Sequence, residues 1–88
     1  MSQFKVFHKG DARRYFVALL AADKLKNRAT LHYIAQEIGA TRAEVQRALD
    51  VVAEQFGVMF ERQGSTYIIT SWGVLKKSEL VKFIKSDN

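Results

Sequence analysis

Residues 30–56 read TLHYIAQEIGATRAEVQRALDVVAEQF, and the reading of this stretch decides the fold. Leu31, Ile34, Ala35 and Ile38 recur at helical spacing behind Thr30, whose hydroxyl suits an N-cap, and Gly39 supplies the left-handed residue that ends a helix. Two positions later Thr41 precedes Arg42, Ala43 and Glu44. That spacing predicts a capping box: the threonine hydroxyl accepts from the Glu44 amide while the carboxylate reaches back to the Thr41 amide. Val45, Ala48, Leu49, Val52 and Phe56 then form one apolar stripe, which leaves Arg42, Ala43, Gln46, Arg47 and Asp50 facing outward. With only Gly39 and Ala40 between them, the two helices must cross steeply, so the second protrudes.

Upstream, residues 11–26 also read as a helix. Asp11 follows Gly10 as an N-cap, Ala12, Tyr15, Phe16, Leu19, Leu20 and Ala22 make an apolar face, and Asn27 is the C-terminal stop. Arg13, Arg14, Lys24, Lys26 and Arg28 lie on its solvated side or just beyond its end. Residues 1–10 form a short strand or arm, in which Phe4 and Phe7 need burial, either on the domain's own core or across a second subunit.

Downstream of Phe56 the period changes. Gly57 closes the helix, residues 58–62 read as a strand, 63–65 as a tight turn around Gly64, and 66–70 as a second strand rich in β-formers, with Ser71, Trp72 and Gly73 ending it. This is a β-hairpin, in which Gly64 is expected at positive φ. A last helix is expected within 75–85, with Ser78 an alternative N-cap and residues 86–88 frayed.

Three consecutive helices followed at once by a hairpin resemble the winged helix-turn-helix family, over roughly residues 11–73, on element order, spacing and capping. The string 67–73 is similar to the end of the wing in many bacterial transcriptional regulators. The resemblance implies one domain over 1–88, mainly α with a small β-hairpin: an arm at 1–10, three helices over 11–57, a wing over 58–73 and a C-terminal helix over 74–88. It further implies that the helix at 42–56 is the recognition helix.

An 88-residue chain holds one domain, and 48% hydrophobic residues with ten aromatics suffice for an ordinary core. With no cysteine, disulfides, thiol nucleophiles and the usual zinc-finger ligand sets are excluded. The N-terminus lacks the long apolar core of a signal peptide and no run reaches the ~18–20 apolar residues of a membrane span, so a cytoplasmic protein with no membrane partner is expected. The net charge of +5 favours polyanions, but its distribution is uneven. Residues 1–28 carry seven basic and two acidic side chains, 29–57 carry two and four, and 58–88 carry five and three. Positive charge therefore flanks the central stretch, which is itself net negative, and this counts against the simplest picture of phosphate binding.

The side chains suited to double-stranded DNA are nonetheless present. Arg42 and Arg47 each match guanine, Gln46 matches adenine, and Thr41 with Ala43 at the helix N-terminus suits a phosphate oxygen. In the wing, Arg62, Gln63 and Ser65 surround a glycine that allows close approach to a backbone. Glu44 is explained by the capping box, and Asp50 lies far enough along the helix to cost little. No enzyme is expected, because His8 and His32 stand alone and no phosphate loop or nucleophile motif occurs. No cofactor and no small-molecule ligand is evident. The expectation is a sequence-specific DNA-binding transcriptional regulator, homodimeric because Phe4, Phe7, Leu80, Phe83 and Ile84 exceed what the core absorbs. The alternative is a protein–protein interaction module on the same fold.

Overall fold

The computed structural model describes Phe7 and residues 10–85. The chain folds as α1 (Arg13–Leu25), a 3-10 turn (Lys26–Arg28), α2 (Leu31–Ile38), α3 (Arg42–Phe56), an antiparallel hairpin of β1 (Met59–Gln63) and β2 (Thr66–Ser71), and α4 (Lys77–Lys85). This is the expected mainly helical layout with one small hairpin. The rest of the arm expected over 1–10, including Phe4 and His8, lies outside the described residues, as do 86–88.

Local chemistry sets the helix ends. Asp11 accepts from the Arg13 amide through its carboxylate and from the Arg14 amide through its carbonyl, so the first turn is tight and the regular helix begins at Arg13. Thr30 Oγ1 accepts from the Tyr33 amide, and the Thr41–Glu44 box closes in both directions, at 3.1 and 2.9 Å. Gly39 and Gly57 take left-handed conformations at the two C-termini.

Asn27 is not the stop of α1. The helix ends at Leu25 and the sharp reversal falls on Lys26, at φ 53°, a conformation unusual for a residue with a side chain. The early reversal lets the Ala29 carbonyl meet the Tyr67 amide at 2.8 Å and lets Thr30 bridge to Thr66, so the hairpin docks on the α1–α2 connection.

α1 is the central element. The whole run from Phe16 to Ala22 is buried, because α2, α3, α4 and β2 surround it, whereas Ala12, expected on its apolar face, is exposed. One cluster joins Ala18, Ala21, Ala22, Ile34, Val45, Leu49 and Tyr67; its small alanines let the helices approach closely. A second joins Phe16, Leu19, Leu20, Val52, Val58 and Leu80 below it. Truncating a fully buried residue such as Leu19 to alanine in this setting costs about 2–5 kcal/mol.

The hairpin boundaries shift slightly from expectation. Val58 is buried and donates to the Val52 carbonyl instead of opening the strand, Gln63 pairs with Thr66 as the last strand residue, and Gly64 and Ser65 alone make the turn. Gly64 has the expected positive φ, at 63°. α4 begins at Lys77, within the expected 75–85, with the Lys76 carbonyl accepting from the Glu79 and Leu80 amides, so Ser78 lies inside the helix and is not its N-cap.

The apolar surplus is smaller than the sequence implies. Leu80 and Phe7 are buried, Phe7 under the Arg13 guanidinium, and Ile84 is half-buried against the second cluster. Phe83 remains 48% exposed, with its ring edge-on to Phe16.

Candidate nucleic-acid interface

Helix periodicity turns Arg42, Ala43 and Arg47 outward from α3, and all three are exposed. Thr41, exposed at the N-cap, uses its amide and one hydroxyl lone pair in the box. The amides of Arg42 and Ala43, in the first turn, have no acceptor within the helix, so this end presents donors to an anion. Arg47 also lines a cleft of about 260 Å³ between α1 and the α2–α3 turn, together with Val17, Ala18, Ile38 and Ala40.

Gln46 is placed differently from the expectation that it simply faces outward. It is half-buried, its Oε1 accepts from the Tyr67 hydroxyl at 3.0 Å, and its Nε2 donates to Asp50 Oδ1 at 3.0 Å. The Arg62 guanidinium lies over the other end of this link, 4.2 Å from the Tyr67 ring centroid. Tyr67 therefore brings together one candidate from α3 and one from the hairpin. Gln63 and Ser65 are exposed at the hairpin tip, Gln63 donating to Glu61 at 3.3 Å.

Tyr67 was not among the residues expected at the site. Its signal is chemical: a tyrosine at an inward position of a strand needs a partner for its hydroxyl, but sequence does not say which. Tyr33, in contrast, does not cap the core; it is 46% exposed and edge-on to His32, also exposed.

Three of the four acidic residues of the central stretch make side-chain contacts within the chain. Glu37 pairs with Lys24 and Glu44 with Arg14, at 3.2 Å in the second case, and both partners come from α1. Asp50 accepts from Gln46. Glu54 is exposed in the last turn of α3, about 18 Å along the axis from Arg42 at 1.5 Å per residue. Of the four negative charges counted along this stretch, those of Glu37 and Glu44 are thus paired with cations of α1, and Arg42 and Arg47 are exposed on α3.

Among the described residues no group of three His, Cys, Asp or Glu side chains converges as a metal site, and no helix is long and apolar enough to cross a membrane. Comparison with protein-family models, curated proteins and solved structures yields no match.

Proposed function

We propose that this chain is a winged helix-turn-helix protein that binds double-stranded DNA as a bacterial, cytoplasmic transcriptional regulator, with α3 in the major groove and the hairpin against the flanking backbone. The observation that carries the reading is the pairing of Glu37 with Lys24 and of Glu44 with Arg14, which leaves Arg42 and Arg47 as the exposed charges over the first half of α3. Phosphate contacts need positive charge there, and base readout needs exposed side chains that reach base edges, which Arg42 and Arg47, about 140° apart around the helix, offer from its two sides.

Gel shifts at matched salt test it. Replacing Arg42, Gln46 and Arg47 together by alanine should abolish sequence preference, and Arg47→Ala alone should cost about 1–3 kcal/mol with relaxed preference at one position. Equal affinity of the wild type and the triple variant would remove α3 from the interface.

A second copy of the chain is the protein partner this reading includes. Phe83 and Val74 are exposed on the α4 side of the molecule, where the Val74 amide donates to Phe56 and Phe83 meets Phe16, and not on the outward face of α3. A twofold pair would align two recognition helices with half-sites spaced by whole helical turns.

A further inference from the structure

We infer that Tyr67 and Asp50 are positioning residues that lock the Gln46 carboxamide in one orientation and thereby make it an adenine reader, an inference that rests on the DNA-binding reading above. Asp50 supplies the direction. A carboxylate only accepts, so the atom of Gln46 that faces it at 3.0 Å must be the amide nitrogen. Once the nitrogen is fixed, the carbonyl oxygen faces Tyr67, whose hydroxyl must then donate across 3.0 Å. Asp50 alone forbids the flip, which would set oxygen against oxygen there, while the Tyr67 hydroxyl holds the other end of the amide in place.

A primary carboxamide has two N–H donors and two acceptor lone pairs. Asp50 uses one donor and Tyr67 one lone pair, so one N–H and one lone pair remain for a base edge. That couple matches the major-groove edge of adenine, which offers N7 as acceptor and N6 as donor. Guanine offers two acceptors, N7 and O6, so the fixed carbonyl would face O6 with no hydrogen between them. An unlocked amide escapes this conflict by rotating its nitrogen toward guanine. The lock therefore supplies discrimination more than affinity, and it gives Asp50, an acidic residue on a DNA-facing helix, a role that outweighs its repulsion of phosphate. The ring of Tyr67 belongs to the core and its hydroxyl alone reaches Gln46, so the two roles separate in Tyr67→Phe.

The experiment begins with selection of wild-type sites from a randomised duplex pool, followed by competition binding of duplexes varied one base pair at a time. One position should prefer A·T over G·C by tenfold or more, and Gln46→Ala should erase that preference. Tyr67→Phe and Asp50→Asn should each reduce it to threefold or less, leave every other position unchanged, and add nothing when combined with Gln46→Ala. Asp50→Asn should also tighten binding to all sequences equally, which leaves the ratio as the readout; this residue is exposed, so the variant serves even if Tyr67→Phe folds poorly. If Gln46→Ala erases the preference while both positioning variants retain it, the lock is wrong and the DNA reading stands. If the wild type selects no sequence from the pool, both fall.

Discussion

Gly73 and Gly64 share a left-handed backbone, with φ of 61° and 63°, yet their surroundings separate them. A Cβ at Gly64 would meet nothing within 4 Å, whereas one at Gly73 would lie 2.1 Å from the Phe56 carbonyl oxygen and 2.5 Å from the Gly57 carbonyl carbon. Backbone atoms cannot rotate away as a side chain can. Gly64→Ala should therefore cost about 1 kcal/mol of left-handed strain, and Gly73→Ala about 2–4 kcal/mol once the collision is added. Urea denaturation of the two variants checks this, and equal costs would mean that the close approach is not what requires glycine at 73. The Gly64 conformation was legible because a two-residue hairpin turn demands it locally; the pressure on Gly73 was not, because it comes from the end of α3.

At the scale of elements, α4 is held to α1 partly by charge. Asp23, near the end of α1, pairs with Lys77 at the start of α4 and with Lys26 at 3.2 Å. Burial pushes the Asp23 carboxyl up, but the hydrogen bonds and charges of Lys77 and Lys26 outweigh it, and its pKa lies below the usual aspartate value. The contribution is fully present at neutral pH, above the unfolded-state value of about 3.9, and is lost as pH falls through the lower folded-state value. Because both lysines are exposed, Asp23→Asn should cost at most about 1 kcal/mol at pH 7. The difference from wild type in unfolding free energy should shrink as pH falls below the usual aspartate range; a difference that does not shrink would assign the effect to packing. The sequence leaves the start of α4 open within 75–85 because its Lys77 contact is long-range, whereas Thr30, Thr41, Glu44, Gly39 and Gly57 mark their helix ends within a few residues. The burial of α1 was under-read for a related reason. Val17, Ala18 and Ala21 fall outside one amphipathic stripe, and only packing from several sides explains them. Within the interface, the outward arginines follow from helical period, while the capture of Gln46 by Tyr67 depends on where the hairpin docks.

For the molecule as a whole, charge and apolar surface divide between two regions. Arg14 and Lys24 of α1 are spent on Glu44 and Glu37, so the net charge counted along residues 29–57 misstates the potential that DNA would meet. On the α4 side, Phe83 and Val74 are exposed among the described residues; of the five first counted, Phe7 and Leu80 are buried, Ile84 is half-buried and Phe4 lies outside the described residues. Burial of a phenylalanine contributes about 1.5–3 kcal/mol, so sedimentation equilibrium should show a dimer at micromolar concentration that Phe83→Ser weakens without loss of helical circular dichroism. A monomer at ~100 μM would leave a single-copy DNA complex with no palindromic requirement. The docking of the hairpin on the α1–α2 connection has a kinetic side. The Tyr67 amide proton is held by Ala29, a residue on the opposite flank of the helix pair, so it can exchange with solvent only when the hairpin lifts away from that connection. The same excursion must strain or release the hydroxyl that Gln46 accepts, so the isotope-exchange rate of a single backbone site counts how often the hairpin and α3 part company.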